Sequence, residues 1–201
     1  ILAIIYSLLL PNVYHSQALL VPIDPADDIS GAIKNYSNLA NLGGINLLSS
    51  SGESNSVKAL EKLNSLSFFE TNIKPNIFLP DLMALSSWDK KTNEIYYNEN
   101  IYDKSSKKWV RRFSYPQTLI PSTQESFKKF QKDHLFISED TKTGFITLIV
   151  KHQSPFIAKE WAELLVDQIN TFYRVKDKTR AEKAVIYLND QISRTSFTEI
   201  K

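Results

Sequence analysis

From Phe156 to Lys201 the chain runs for 46 residues without a glycine or a proline. No other feature constrains the fold as much. Glycine and proline are the residues that stop or kink helices, and a periodic stretch longer than about 25 residues reads as an extended or coiled helix. Ser154-Pro155 opens the segment, proline being suited to a first helical position. Ile157, Trp161, Leu164, Leu165, Ile169 and Phe172 form a broad apolar face, recurring at helical spacing. Ala181, Val185, Leu188 and Ile192 form a narrower one. Between the two, Arg174-Val175-Lys176-Asp177-Lys178-Thr179-Arg180 has little to bury. As one helix the segment would span about 69 Å at 1.5 Å per residue. That exceeds a small domain, so the far half is expected to leave the body and find partners. Val185, Leu188 and Ile192 are the candidate oligomer contacts.

The opposite end is uncharged from Ile1 to Ile23, and the first charged residue is Asp24. Ile1–Leu10 is almost wholly apolar, but Pro11 and Asn12 follow, and a helical span needs about 20 apolar residues. Three readings stay open: the end of a transmembrane helix, a buried core segment, or the core of a signal peptide. The chain starts at Ile and ends at Lys201 inside a helical pattern. The expectation is therefore a piece of a longer protein whose first residues close a membrane anchor. No flanking Lys or Arg reveals its orientation.

Composition adds bounds. With 201 residues, 42% hydrophobic and 23% charged, the chain can build one core or two small ones. A net charge of +2 gives no electrostatic reason to expect nucleic acid as a partner. The absence of cysteine excludes a disulfide scaffold and a thiolate metal site.

Along the chain, Tyr14–Val21 reads as a strand ending at Pro22. Asp24-Pro25 with Asp27 and Asp28 reads as a helix start, stopped at Gly43-Gly44. A second helix carries Val57, Leu60 and Leu63, and a short third begins near Phe68-Phe69 and ends by Pro75. Pro80–Ala84 supplies another helical turn. Glu94–Tyr97 and Lys108–Arg111 read as short exposed strands around Asp103–Ser106. Ser122-Thr123-Gln124-Glu125 is a capping box, with Phe127 and Phe130 facing inward behind it. Leu135–Ser138 and Phe145–Val150 form a hairpin in which Gly144 takes positive φ. Its second strand is apolar on both faces and should be central. Trp161, Leu165, Ile149 and Phe127 are expected to be buried together, and Val185, Leu188 and Ile192 to be under-buried in a single chain.

The search for chemistry returns little. His15, His134 and His152 have no second histidine or carboxylate at ligand spacing except Asp133 beside His134, and neighbours in sequence do not face one another on a helix or strand. Gly43-Gly44 lacks the Lys and Ser/Thr of a phosphate loop. Lys107-Lys108-Trp109-Val110-Arg111-Arg112 reads as charge on an exposed hairpin. No catalytic, cofactor or metal residue is assigned, and a non-enzymatic role is expected.

The ordered set Pro11–Pro22, Leu39-Ala40-Asn41-Leu42-Gly43-Gly44-Ile45, Ser67-Phe68-Phe69, Ser86-Ser87-Trp88-Asp89, Thr143–Thr147 and His152–Ala158 resembles the chain-length determinant (Wzz) family of bacterial polysaccharide co-polymerases. The likeness spans roughly residues 11 to 201. It implies an α+β fold in which a small mixed β-sheet packed with helices forms a membrane-proximal base below a long C-terminal helix. The implied divisions are residues 1–12 as the end of a first transmembrane helix, 13–175 as the periplasmic base, and 176–201 as the start of the extended helix. The second transmembrane helix of the family lies outside this sequence. The resemblance further implies a ring-shaped homo-oligomer anchored in the bacterial inner membrane. There it would set the chain length of lipopolysaccharide O-antigen with the membrane polymerase and the growing lipid-linked glycan as partners. Capsule, exopolysaccharide or common antigen are alternative glycans. A periplasmic adaptor subunit of an exporter, which also sets a long helix on a small β-containing base, is an alternative of another class. A glycan-processing enzyme, a third, would need paired carboxylates in a cleft.

Overall fold

The computed structural model of the protein describes residues 11–21 and 55–195. The expectations for Ile1–Leu10, for the helix between Asp24 and Gly43-Gly44, and for residues 196–201 lie outside the described residues. Elements follow in the order β1 (Tyr14–Leu20), α1 (Asn55–Leu63), α2 (Leu66–Phe68), α3 (Leu79–Met83), β2 (Leu85–Asp89), β3 (Glu94–Tyr97), β4 (Tyr102–Asp103), β5 (Lys108–Trp109), α4 (Thr123–Lys129), β6 (Leu135–Glu139), β7 (Ile146–His152) and α5 (Pro155–Thr195). Among the described residues no helix is long and apolar enough to cross a membrane.

The architecture is α+β. A three-stranded sheet in the order β1-β7-β6 is covered on one face by the first half of α5, with two small two-stranded sheets, β2-β3 and β4-β5, beside it. β7 is central, as its apolar run requires. Both of its partners run against it. The sheet is thus antiparallel throughout among the described residues, which corrects the expectation of a mixed one. The six-residue connection from Glu139 to Ile146 permits only an antiparallel pair, and β1 joins the other edge in the same sense. Gly144 closes that turn at φ +70°. Its N–H donates to the Asp140 carbonyl at 2.7 Å, and the Asp140 N–H donates to Phe145 O at 2.9 Å.

Period-two alternation divides β7 into faces. Ile146, Leu148, Val150 and His152 are buried, while Thr147, Ile149 and Lys151 are only half-buried. Ile149 therefore does not join Trp161 and Leu165 beneath α5. An odd–even offset of one residue puts it on the other face of the sheet, and its neighbours Leu148 and Val150 take the core position instead. Phe127 is half-buried and packs against the core. The core itself is built from Leu63, Phe68, Phe69, Leu82, Phe130, Leu148, Val150, Trp161 and Leu165.

Local chemistry fixes the elements around that core. At α4 the Glu125 N–H donates to Ser122 Oγ at 3.2 Å and the Ser122 N–H to Glu125 Oε2 at 3.0 Å, which completes the capping box. The Arg111 guanidinium then forks onto the same carboxylate at 2.9 and 3.0 Å. This hydrogen-bonded fork is the main reason that Glu125 titrates below its ordinary range. Two turns with i→i+5 bonds, Phe69–Ile73 and Phe130–His134, bring the rings of Phe69 and Phe130 to 5.2 Å. α5 begins where Ser154 Oγ accepts the Ile157 N–H and Pro155 takes the first position.

Candidate functional site: the terminal helix and its histidine footing

The helix expected after Ser154 is one element of 41 residues, about 62 Å long. Its two halves meet different surroundings. Ile157, Ala158, Trp161, Ala162, Leu165 and Ile169 are buried against the sheet and the α1–α4 region, and Phe172 and Tyr173 are the last residues packed on the body. Lysines close the junction over aromatic faces: Lys62 Nζ lies 4.6 Å from the Phe172 ring and Lys176 Nζ 5.4 Å from Tyr173. Among the described residues, none from Arg174 to Ser193 is buried.

Val185, Leu188 and Ile192 lie in this second half, 56%, 45% and 64% exposed, as their stripe's separation from the core-facing one led us to expect. With Ala181 they are spaced four, three and four residues apart. That is the average 3.5-residue repeat of supercoiled helices, with β-branched residues alternating with leucine as in knobs-into-holes seams. Exposed Val175 and Ile186 share a second face, about a third of a turn from this stripe at 3.6 residues per turn. The Lys178–Glu182 pair at 3.9 Å flanks the stripe at i,i+4 spacing.

The first half of α5 stands on a feature that single-residue reading missed. The rings of His134 and His152 lie 5.5 Å apart, and Trp161 packs edge-on to both at 5.3 and 5.1 Å. His134 Nδ1–H donates to Lys151 O at 2.8 Å. His152 Nδ1 accepts the Ser154 N–H at 2.9 Å, and its Nε2–H donates to the Asp81 carbonyl at 3.4 Å. Both nitrogens of His152 are thus committed, in the neutral ring. Burial holds it neutral down to about 4, aided by repulsion from a protonated His134, and burial lowers His134 as well. The signal available in sequence was hairpin register. Leu135 pairs with Val150, so counting back from the Gly144 turn brings His134 opposite Lys151 and diagonal to His152. Asp133 and His134, set aside as a pair because sequence neighbours do not face one another, have separate hydrogen-bond partners: Lys129 takes the Asp133 carboxylate at 3.1 Å.

Other candidates separate in the same way. Arg111 of the basic run is occupied by Glu125 and by the carbonyls of Thr118 and Leu119, while Lys107 and Lys108 face solvent. Asp81 is buried, accepts a hydrogen bond from the Tyr97 hydroxyl, and is pushed up by that burial. Among the described residues no group of three or more His, Asp or Glu side chains converges as a metal site would require. No buried side-chain nitrogen or oxygen of the described residues lacks a hydrogen-bond partner.

Comparison of the chain with protein-family models, with curated proteins and with solved structures finds no match.

Proposed function

We propose that this protein is a non-catalytic polysaccharide co-polymerase. In this reading it is an inner-membrane scaffold, with its base in the periplasm, that sets the chain length of O-antigen or a related glycan together with the membrane polymerase. The observation that carries the reading is the division of α5. One half is buried on a small α+β base, and the other leaves that base with a heptad-spaced apolar stripe exposed. Such a stripe costs solvation unless neighbours cover it. A second apolar face on the same helix, at Val175 and Ile186, supports a ring, because head-to-tail closure needs two different patches on each subunit. Length control without catalysis works through residence. An oligomer that holds the growing glycan near the polymerase for longer shifts the product distribution without making or breaking a bond. The ordered resemblance and the uncharged run from Ile1 to Ile23 support anchoring in the bilayer.

Deletion of the gene tests this. The glycan should still be polymerised, but its modal length should be lost on a lipopolysaccharide gel. An unchanged banding pattern would exclude the proposed role.

A further inference from the structure

The corner of the fold where β1 begins carries an aromatic cluster that the core does not use. Tyr14 and Trp88 pack edge-on at 5.6 Å, and Phe156 meets Trp88 at 6.5 Å. Three elements supply them: the first residue of β1, the bulged strand β2, and the first turn of α5. Phe156 is 60% and the adjoining Val13 52% exposed. The Trp88 indole N–H donates to Asn93 Oδ1 at 2.9 Å, which places its polar edge on the β2–β3 turn. That turn presents Lys90 and Lys91 to solvent. An aromatic surface with a polar rim and lysines beside it is the composition found where proteins meet lipid headgroups.

Position selects the same partner. Leu10, the last residue of the apolar run, is four residues from Tyr14, a reach of at most about 14 Å even when fully extended. The headgroup layer is roughly 5–7 Å thick on each side of the hydrocarbon. A chain that leaves the bilayer near Leu10 therefore brings Tyr14 to this layer or just beyond it. No charge intervenes, since every residue from Ile1 to Ile23 is uncharged.

We propose that Val13, Tyr14, Trp88 and Phe156, with Lys90 and Lys91, form a seat that rests in the headgroup layer of a phospholipid bilayer. The inference rests on the membrane-anchored reading above and adds the surface by which the base is held against the membrane. The first turn of α5 supplies Phe156 to the seat, so a seated corner also fixes where that helix begins relative to the membrane.

Spin-label accessibility in the full-length protein, reconstituted in vesicles of phosphatidylethanolamine and phosphatidylglycerol, tests it. This chain contains no cysteine, so Phe156→Cys, Val13→Cys, Ile5→Cys and Lys142→Cys each add one label site to it. Lys142 is exposed in the β6–β7 turn, about 20 Å further along the sheet at 3.3 Å per residue, and is the aqueous reference. The seat predicts that labels at Phe156 and Val13 show a several-fold higher ratio of oxygen to nickel-chelate collisions than Lys142, below that of Ile5. If Ile5 reads as hydrocarbon while Phe156 and Val13 match Lys142, the seat is wrong and the anchor stands. If Ile5 itself reads as water, both are wrong. If Phe156 and Val13 are shielded from both reagents, protein and not lipid covers the corner, and the seat is again overturned.

Discussion

His152 is the residue whose protonation the fold tolerates least. Its pKa falls from an ordinary 6.5 to about 4 on folding, so between these values the unfolded chain binds a proton that the folded chain does not. Stability is then complete above about pH 6.5 and lost as pH falls toward 4. The loss amounts to about 3 kcal/mol at 1.36 kcal/mol per pH unit, and His134 shifts the same way. Asp81 acts oppositely. Its raised pKa means the folded state keeps a proton above 3.8 that the unfolded state has released, so its contribution grows as pH falls. The difference between the wild type and His152→Gln isolates the histidine. Urea denaturation at pH 7 and pH 5 should show a smaller pH-dependent drop in the variant. An equal drop in both would mean that His152 is not held neutral. Trp161, 1% exposed and in contact with both rings, should lose about 3–5 kcal/mol on truncation to alanine, read as a lower denaturation midpoint.

At the scale of elements, the Gly144 turn and α5 make separate predictions. An alanine at Gly144 would place its Cβ 3.8 Å from Ser56 Oγ, an ordinary contact, so its cost comes from holding φ at +70°. That cost is about 1–2 kcal/mol, measurable by denaturation. In α5, amide exchange in a single chain should be slow through Ile169 and fast from Arg174 to Ser193, where none of the described residues is buried. Assembly should slow the stretch from Ala181 to Ile192. Uniform protection along the helix of the isolated chain would contradict the division into packed and exposed halves. Which elements could be read from sequence follows from how local their causes are. The Ser122 box, the Gly144 hairpin, the central place of β7 and the long helix each depend on residues close together in sequence. β2 was not legible, because Ser86-Ser87 interrupt any apolar alternation and a bulge between Leu85 and Ser87 breaks its register with β3. Ile149 was assigned to the wrong face because the run Phe145–Val150 reads as apolar throughout, although Thr147 and Lys151, two residues to either side of Ile149, mark its face as the less buried one. The His134–His152 pair and the Tyr14–Trp88–Phe156 corner join distant segments, and single positions carry no trace of such meetings.

For the whole molecule, the reading depends on geometry more than on any reactive group. A short antiparallel sheet and its helices hold the first half of α5, and the histidine footing ties that half to the end of β7 and to α3. The remaining 22 residues, from Arg174 to Thr195, carry the exposed stripe and reach about 33 Å beyond the packed half at 1.5 Å per residue. The account requires that stripe to act in assembly and thereby in glycan length. The most direct measurement is the lipopolysaccharide ladder of cells whose full-length protein carries Val185→Asp, Leu188→Asp and Ile192→Asp together. All three positions are exposed, so the base should fold and the protein should remain in the membrane fraction. The predicted result is glycan that is still polymerised but has lost its modal length. A ladder identical to the wild type, from protein present at the same level, would contradict the account.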